Sequence, residues 1–253
     1  MNPPLVEVLD LTHTYPDGTE AVRGVSLCIR HGESVAVVGA NGAGKSTLLL
    51  HLNGSLIPQN GTVRIGDYPL AKATLADIRR TVGMIFQDPD DQLFMPTVAE
   101  DVAFGPLNLG LPPDEVERRV TAALHRVGAA HLRDRPPYKL SGGEKRLAAI
   151  ATVLVMAPDI LIMDEPSSSL DPRARRTLIE LLAGFHHTTI IATHDLDLVL
   201  DLCTRTIVLR EGRIMADGPT RDIFADEQLL AVSHLEKPLR LQACPVCGRD
   251  AES

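Results

Sequence analysis

Hydrophobic side chains recur at two different periods in the first hundred residues, and these periods predict strands and one early helix. Short alternating or β-branched runs predict strands, and the turn sequence Tyr15-Pro16-Asp17-Gly18 joins the first two as a hairpin. The predicted strands are residues 5–11, 22–29, 34–38, 63–65 and 82–86. Helical spacing covers residues 46–52, directly after a glycine-rich stretch that follows the third strand.

Beyond residue 88 the pattern changes to helices and then to strands that alternate with helices. Residues 113–127 and 144–156 have helical spacing and predict a helical insertion. The later strands are predicted at residues 160–163, 189–193 and 207–209, and the later helices at residues 173–183 and 196–203. This alternation is typical of a parallel sheet covered on both faces, an α/β fold. The predicted division is a core of residues 1–87 and 159–234, a helical segment of residues 88–158 and a tail of residues 235–253.

Composition and charge exclude several functional classes. The 253 residues carry a formal net charge of −8, and Lys and Arg are scattered, which argues against a nucleic-acid-binding surface. The longest apolar run, residues 147–157, is shorter than the roughly 20 residues that a membrane-spanning helix needs. The first ten residues lack the order of basic, apolar and small residues that marks a secretion signal. We therefore expect a cytoplasmic globular protein.

The glycine-rich stretch after the third strand matches the phosphate-binding P-loop pattern. It reads Gly39-Ala40-Asn41-Gly42-Ala43-Gly44-Lys45-Ser46, and Thr47 follows. In such a loop, backbone N–H groups surround phosphate oxygens at the N-terminus of a helix. Lys45 is expected to reach the β and γ phosphates, and the Ser46 hydroxyl to bind Mg²⁺. The alternative is an ordinary glycine-rich turn, but the match lies between a predicted strand and a predicted helix, as a P-loop requires.

Two acids, Asp164 and Glu165, follow the strand predicted at residues 160–163. They lie at the carboxyl end of that strand, which is where open α/β sheets bind ligands. Asp164 suits Mg²⁺, and Glu165 suits the polarisation of an attacking water. The simpler interpretation is that both acids cap the turn at Pro166. The P-loop upstream favours the functional interpretation over this one.

Two further polar side chains follow predicted strands at the same edge of the sheet. His194 comes after the strand at residues 189–193 and is able to donate to a γ phosphate. Gln87 comes after the strand at residues 82–86 and offers an amide for Mg²⁺ or water. A lone histidine is usually structural, but its position at a strand end favours a role at the phosphates, and the same argument applies less strongly to Gln87.

The sequence Leu140-Ser141-Gly142-Gly143-Glu144 resembles the signature motif of the ATP-binding cassette (ABC) family. Its serine and glycines open a helix N-terminus, and such a terminus binds anions. The resemblance covers nearly the whole chain. It implies a P-loop NTPase fold, with a RecA-like core sheet, an N-terminal antiparallel β subdomain and an inserted α-helical signature subdomain. It also implies an ATPase that uses ATP and Mg²⁺.

The resemblance assigns roles to individual residues. Tyr15 corresponds to the aromatic that stacks on adenine, Gln87 to the Q-loop, Asp171 to the D-loop and His194 to the switch histidine. The implied nucleotide-binding residues are Tyr15, Gly39, Asn41, Gly42, Ala43, Gly44, Lys45, Ser46, Thr47, Ser141, Gly142, Gly143, Glu144 and Asp171. The implied Mg²⁺ ligands are Ser46, Gln87 and Asp164, and the implied catalytic residues are Glu165, His194 and Gln87.

The resemblance also implies a homodimer that encloses two ATP molecules. In the family, the signature serine contacts ATP bound to the other subunit, so each chain holds halves of two sites. Two departures from the family pattern stand out. The D-loop segment, Ser167-Ser168-Ser169, is serine-rich, and Glu144 continues into Lys145-Arg146 where many transporters have Gln-Gln-Arg. Neither departure removes a catalytic group, so only the rate and the strength of coupling are in question.

Within the family, residues 86–106 are similar to the energy-coupling-factor importers, and most similar to their cobalt and nickel group. This resemblance is based on the sequence Asp90-Asp91-Gln92-Leu93-Phe94. It implies a transmembrane scaffold subunit that contacts residues 87–94. Leu93 and Phe94 are the expected anchors if they are exposed, and their burial in the helical segment is the alternative. It also implies a substrate-binding membrane subunit and a peripheral position on the cytoplasmic face of the cell membrane.

Cobalt is favoured slightly over nickel as the transported ion, and vitamin import through the same type of transporter is the alternative. A non-transport ABC ATPase that acts on DNA or the ribosome is a more distant alternative. Those proteins carry long coiled coils or two P-loops, and this chain has neither feature and no basic patch.

The C-terminal tail contains Cys244 and Cys247 in the sequence Cys-Pro-Val-Cys, which has the form of half a zinc knuckle. A complete site needs about four ligands, and a homodimer supplies two such halves. The hypothesis is that this pair binds zinc or the transported metal, or tethers the subunits. The alternative is a reduced tail without metal.

Overall fold

The computed structural model describes residues 5–185 and 187–242. The described residues form ten β-strands: β1 Val6–Thr14, β2 Glu20–Ile29, β3 Ser34–Val38, β4 Asn60–Ile65, β5 Tyr68–Pro69, β6 Val82–Ile85, β7 Ile160–Asp164, β8 Thr188–Thr193, β9 Arg205–Arg210 and β10 Arg213–Pro219. They also form nine α-helices: α1 Lys45–Leu52, α2 Leu75–Thr81, α3 Val98–Asn108, α4 Pro113–Arg126, α5 Gly142–Leu154, α6 Pro172–Ala183, α7 Leu196–Leu202, α8 Thr220–Ala225 and α9 Glu227–Val232. Among these helices, none combines the length and the apolar character that crossing a membrane requires.

The N-terminal strands form an antiparallel sheet in the order β2-β1-β4-β5. In the turn between β1 and β2, the Asp17 carboxylate accepts a hydrogen bond from the Thr19 N–H at 2.9 Å, and Gly18 has a φ of 89°. Asp followed by Gly suits such a turn because only glycine takes this backbone conformation readily. The predicted hairpin is confirmed, and both strands extend beyond their predicted bounds.

The second sheet has six strands in the order β10-β9-β3-β8-β7-β6, and all but the edge strand β10 run parallel. Its register aligns the carboxyl ends of the central strands. Ile85 pairs with Met163, Asp164 with Ala192, and Val38 with Thr193. The residues that follow these strand ends therefore emerge at one edge of the sheet, and the predicted parallel sheet is confirmed.

The two faces of this parallel sheet are covered by different elements. Val35 and Val37 of β3 face the cluster that contains α1 and the antiparallel sheet, whereas Ala36 and Val38 face the cluster that contains α4, α5, α6 and α7. This alternation follows from the period of two along a strand. The helix that follows the P-loop, α1, and the helix that follows the signature motif, α5, consequently lie on opposite faces of the sheet.

Three helices, α3, α4 and α5, lie between β6 and β7. The hydrophobic pattern predicted α4 and α5 but not α3. At the start of α3, the Glu100 N–H donates to the Thr97 hydroxyl, and the Thr97 N–H donates to the Glu100 carboxylate. This capping box was a usable signal, but Gly105 and Pro106 interrupt the helical composition that follows. The elements α2, α8, α9 and β10 also had no counterpart among the predictions.

Residues 235–242, at the start of the predicted tail, pack on the core. The Arg240 guanidinium lies 2.8 Å from the Asp201 carboxylate and 3.4 Å from that of Asp197, both on α7. Leu235 and Leu241 pack against the helical side of the core. The hydrophobic pattern of the tail gave no sign of this docking, because it depends mainly on one arginine.

Candidate functional site

The P-loop connects β3 to α1, and its glycines are required by close packing and by backbone conformation. A Cβ at Gly39 would collide with the carbonyl oxygen of Leu209, and a Cβ at Gly44 would collide with that of Ala21. Gly42 and Gly44 have φ values of 79° and 100°, which L side chains rarely adopt. The loop therefore turns directly into the N-terminus of α1, where the first backbone N–H groups lack intrahelical partners and suit an anion.

Lys45, the first residue of α1, is buried beneath this loop. Its Nζ donates to the carbonyl oxygens of Gly39 at 2.8 Å and Ala40 at 3.2 Å. Burial lowers the pKa of Lys45, while the nearby carboxylates of Glu165 and Asp164 act in the opposite direction. An ammonium has three N–H groups, so a third donor is available for a phosphate oxygen.

Asp164 ends β7, and its carboxyl group lies beside the Ser46 hydroxyl. The side chain is buried, and its Oδ1 has no hydrogen-bond partner among the described residues. Burial raises the pKa of Asp164, and the charge of Glu165 adds to that effect, against smaller opposing contributions from Ser46 and Lys45. A buried carboxylate oxygen without a partner is costly, and a hard divalent cation prefers such a ligand. Asp164 and Ser46 therefore fit Mg²⁺.

Glu165 is held in an uncommon conformation at the same edge. Its φ of 44° lies in the left-handed region, which costs a residue other than glycine about 1 to 3 kcal/mol and is often found at functional sites. Its Oε2 accepts hydrogen bonds from the Thr193 hydroxyl at 3.0 Å and the His194 backbone N–H at 3.3 Å, and the His194 Nδ1 lies 2.9 Å away. The carboxylate is buried, whereas the His194 side chain is 66% exposed. Glu165 is thus fixed in orientation, and His194 faces outward beside it.

Gln87 lies two residues beyond β6, and its side chain is exposed. Together with Ser168 and Ser169 it lines a cavity of about 390 Å³ between the end of β6, the start of α5 and the loop after Glu165. Its own carbonyl oxygen accepts a hydrogen bond from the Arg146 guanidinium at 2.6 Å. Gln87 therefore follows the end of β6, which pairs with β7, the strand that ends in Asp164.

Tyr15 lies in the hairpin turn and is half-buried against α1. Its hydroxyl is 3.1 Å from the Thr47 hydroxyl, and its ring packs edge-to-face on His13 at a centroid distance of 4.8 Å. His13 packs in the same way on the buried His51. The aromatic predicted to stack on adenine is therefore adjacent to the first turn of the P-loop helix.

The signature motif forms the N-terminus of α5, away from the P-loop. The Ser141 hydroxyl and N–H both donate to the Glu144 carboxylate, at 2.9 and 2.8 Å, and the Glu144 N–H donates back to the serine hydroxyl. A Cβ at Gly143 would lie 2.9 Å from the Cβ of Ala174, so this glycine lets α5 approach α6 closely. Asp171 caps α6, because it accepts from the N–H groups of Arg173 and Ala174.

The structure brings together most of the predicted site residues but not all of them. One cluster contains the P-loop residues 39–47, Asp164, Glu165 and His194, with Gln87 and Tyr15 at its sides. Ser141, Gly142, Gly143, Glu144 and Asp171 form a second group, on the other face of the sheet from α1. Cys244 and Cys247 lie outside the described residues.

Sequence reasoning missed two residues of the site, Thr193 and Arg146. Thr193 is buried and orients Glu165, but a threonine in a strand of apolar residues carries no local signal of that contact. Arg146 is also buried, but it directly follows Glu144 and Lys145 in the sequence, so no local signal distinguishes it from an exposed charge.

Residues 22–168 match the sequence profile of the ABC transporter family. A protein of Geobacter sulfurreducens that is named as an ABC transporter ATP-binding protein is 70% identical, over 97% of this chain and 98% of that protein. The energy-coupling factor transporter ATP-binding protein EcfA of Methanothermobacter thermautotrophicus is 47% identical, over 92% of this chain and 77% of that protein.

Two solved structures are similar to this chain. The structure of cbiO1 from Clostridium perfringens, part of the ABC transporter complex cbiONQ, is 40% identical with a TM-score of 0.80, over 91% of this chain and 94% of that one. A dimeric ATP-binding cassette in a post-hydrolysis state, bound to ADP and phosphate, is 28% identical with a TM-score of 0.77. The match covers 85% of this chain and 99% of that one. The P-loop NTPase fold of ABC ATPases is therefore confirmed, with ATP as the nucleotide and Mg²⁺ as the usual ion. The chain belongs to the ABC transporter family and is an ATP-binding subunit with ATPase activity.

Proposed function

We propose that this chain works as one half of a nucleotide-sandwich dimer, which powers the uptake of a transition-metal ion through an energy-coupling-factor transporter. The proposed ATPase mechanism rests on three groups at one edge of the parallel sheet. They are the unpartnered Oδ1 of Asp164, the buried ammonium of Lys45 and the oriented carboxylate of Glu165.

The residues at this edge divide the work of hydrolysis. Lys45 and the P-loop N–H groups bind the β and γ phosphates, while Ser46, Asp164 and Gln87 hold Mg²⁺. When bound, the ion neutralises charge on the phosphates. Glu165 accepts a proton from a water as the water oxygen bonds to the γ phosphorus and the bond to the bridging oxygen of ADP breaks. The donors Thr193 and His194 hold the Glu165 carboxylate for that proton transfer.

His194 is the contact to the γ phosphate on the outer side of Glu165. Its Nδ1 lies 2.9 Å from the Glu165 carboxylate, which leaves Nε2 for a phosphate oxygen. Donation from both nitrogens requires the doubly protonated ring. His194 therefore links the charge of the γ phosphate to the carboxylate that takes the proton.

The arrangement of the two helix N-termini supports a homodimer around two ATP molecules. The P-loop and the signature motif lead into α1 and α5, which pack on opposite faces of the parallel sheet. Ser141 is exposed and lies at the free end of α5, where it suits a nucleotide held by a second copy. Tyr15 stacks on the adenine of the nucleotide in its own P-loop.

An aromatic pair on the helical segment is the proposed docking site for a transmembrane scaffold subunit. Phe94 is 63% exposed and packs edge-to-face on Phe104 at 5.0 Å, and Leu107 extends the same apolar surface. The buried carboxylate of Asp101 fixes this surface, since it accepts from the N–H groups of Phe94 and Met95. Leu93, predicted as a second anchor, is only 6% exposed and belongs to the core, so that prediction is wrong.

The energy-coupling-factor assignment is supported by the identity with EcfA and by the fold shared with cbiO1, which is part of a complex. In transporters of this type, the ATPase docks through the scaffold subunit on the inner face of the membrane, and a separate membrane subunit selects the substrate. Cobalt is proposed ahead of nickel, with a vitamin as the alternative. Uptake of radioactive cobalt, nickel and vitamins by cells that express this chain with its membrane subunits distinguishes these substrates. Uptake of a vitamin alone would overturn the metal assignment.

The Glu165→Gln variant tests the catalytic assignment. The amide cannot take a proton from water, so turnover is expected to fall by roughly 100- to 10,000-fold. ATP binding is expected to persist, and the dimer to accumulate on ATP, which size-exclusion chromatography detects. Glu180→Gln, on the outer part of α6, is the matched control. Hydrolysis at the parent rate in the Glu165→Gln variant would exclude Glu165 as the base.

A further inference from the structure

The segment that contains Gln87 is attached mainly to α5. Arg146 of α5 is only 2% exposed, and its guanidinium donates to the carbonyl oxygens of Phe86 at 2.7 Å and Gln87 at 2.6 Å. These two carbonyls follow directly after β6, at the point where the sheet can no longer satisfy them. One buried side chain therefore sets the path of the backbone on both sides of the Gln87 peptide.

Two more contacts tie the same segment to α5. The Gln92 Nε2–H₂ group donates to the carbonyl oxygen of Ala149 at 2.9 Å and to the Thr152 hydroxyl at 2.7 Å, while its Oε1 accepts from the Phe86 N–H. On the outer side, the Lys145 ammonium contacts both carboxylate oxygens of Asp90, at 2.6 and 2.8 Å. Residues 86–92 are thus held at their start, middle and end by one helix.

Burying the charged side chain of Arg146 costs free energy, which suggests that its geometry serves a purpose. Within residues 5–185 and 187–242 it forms no ion pair, and its buried Nε has no hydrogen-bond partner. Burial lowers the pKa of Arg146, and the charge of the Asp88 carboxylate acts in the opposite direction. That carboxylate and two carbonyl oxygens offset only part of the cost of burying the charge. A planar guanidinium, however, donates from fixed directions and so holds two consecutive carbonyls more rigidly than a flexible side chain.

We propose that Arg146 is a positioning residue for Gln87, and that it acts together with Gln92 and Lys145 to hold residues 86–92 as a rigid part of the α5 unit. The proposal rests on the role of Gln87 at Mg²⁺ and water given above. Arg146 matches the arginine of the common Gln-Gln-Arg pattern, whereas Lys145 departs from that pattern. In this chain both residues contact the segment that carries Gln87.

The test is a double-mutant cycle that joins Arg146 to Gln87, measured as ATP turnover. Arg146→Met keeps an unbranched apolar chain but removes both donors. Turnover is expected to fall roughly 10- to 100-fold with little change in KM, since misplacement of a catalytic group by about 1 Å costs on that order. The double variant with Gln87→Ala is expected to be no slower than Gln87→Ala alone, because the two residues act as one unit.

Amide hydrogen exchange provides a readout that does not depend on the chemistry of Gln87. In Arg146→Met, amides of residues 86–92 are expected to exchange at least about tenfold faster, while those of α4 stay unchanged. Arg146→Lys, which keeps the charge but replaces the planar guanidinium by a single ammonium nitrogen, is expected to be intermediate in exchange and turnover. Arg133→Met, which removes an outer arginine paired with Glu117, is the matched control.

The outcomes separate the two hypotheses. Additive effects of Arg146→Met and Gln87→Ala on turnover, or parental exchange in residues 86–92, would overturn the positioning role of Arg146. Parental turnover in Gln87→Ala would instead overturn the proposed role of Gln87 in hydrolysis. In that case the exchange of residues 86–92 alone decides whether Arg146 holds the segment.

Discussion

The two halves of the proposed ATP site are prepared for a ligand in opposite ways. At the P-loop edge, Asp164 keeps an unpartnered buried oxygen, Lys45 is desolvated and Glu165 has a left-handed backbone. At the signature end, Ser141 is exposed, and its hydroxyl and N–H are already paired with Glu144 in a complete capping box. At the P-loop edge, a ligand therefore relieves the free-energy cost of burying unpaired polar groups. At the signature end, the polar groups are already paired, so no such cost is relieved.

This contrast suggests different tasks for the two halves. Groups that are desolvated and unpaired before binding gain most when phosphate and Mg²⁺ arrive, so the P-loop edge supplies affinity and catalysis. At the signature end, a nucleotide oxygen must replace the Glu144 carboxylate as the acceptor of the Ser141 donors, so the net gain in binding free energy per contact is small. A weak second contact is reversible, which suits a dimer that opens after each hydrolysis.

Among the variants that compare the two halves of the site, the largest effect is expected from blocking the signature end. In Ser141→Arg, a long cation replaces the exposed serine and obstructs contact with a nucleotide in the second copy. Turnover is expected to fall roughly 100- to 1,000-fold, comparable to the loss of a group that stabilises the transition state. ATP binding to the single chain is expected to stay within about twofold, because the P-loop edge is untouched.

Equilibrium binding of a fluorescent ATP analogue, together with the oligomeric state in ATP, measures both effects. His125→Arg adds the same charge on the exposed side of α4 and serves as the control. Loss of ATP binding in Ser141→Arg would contradict the division of tasks between the two halves, since affinity would then depend on both.

A smaller effect is expected from Thr193→Val, which removes one donor to Glu165 while nearly preserving shape. The Thr193 hydroxyl also accepts from the Asp195 N–H at 3.0 Å, so its loss loosens the link between Glu165 and the loop that carries His194. Turnover is expected to fall roughly tenfold, in line with the loss of one hydrogen bond to a charged group. Thr62→Val, at an exposed position of β4, is the control. Parental turnover in Thr193→Val would show that Glu165 is oriented without it.

Thr193 also marks the limit of what the sequence predicted. The P-loop was predictable in detail because glycines at fixed spacing determine the local backbone, and the strand ends followed from the parallel alternation. The contacts of Thr193 and Arg146 were not predictable, since the hydrogen bond of Thr193 joins residues 28 positions apart and the two of Arg146 join residues 60 and 59 positions apart. Such contacts depend on the register of neighbouring elements, which hydrophobic period alone does not determine.

The same distinction explains the error at Leu93 and the omission of α3. Leu93 and Phe94 are adjacent apolar residues, and only the packing of α3 and α5 decides which one is buried. The residues that the sequence motifs did not predict, Thr193 and Arg146, are those that contact predicted site residues. The motifs thus predicted which groups form the site, whereas side chains outside the motifs orient those groups.

The smallest expected effect tests whether the P-loop edge stores unfavourable free energy. Burial raises the pKa of Asp164 above its ordinary value of 3.8, so between these two values the folded chain binds more protons than the unfolded chain. Stability therefore falls as the pH rises through that window, and the carboxylate is destabilising at neutral pH. Without nucleotide, Asp164→Asn is expected to stabilise the fold by about 1 kcal/mol, a rise in Tm of about 2 to 4 °C.

The pH dependence and the ligand identify the cause of that gain. It is expected to shrink below about pH 4, where Asp164 is protonated in both the folded and the unfolded parent. Saturating ATP and Mg²⁺ are expected to reverse it, because only the parent gains the full stabilisation from binding the ion. Thermal unfolding at several pH values measures both trends, with Asp159→Asn at the exposed start of β7 as the control. A lower Tm for Asp164→Asn at neutral pH without ligand would mean that the buried carboxylate is satisfied within the chain, and the contrast between the two halves of the site would then disappear.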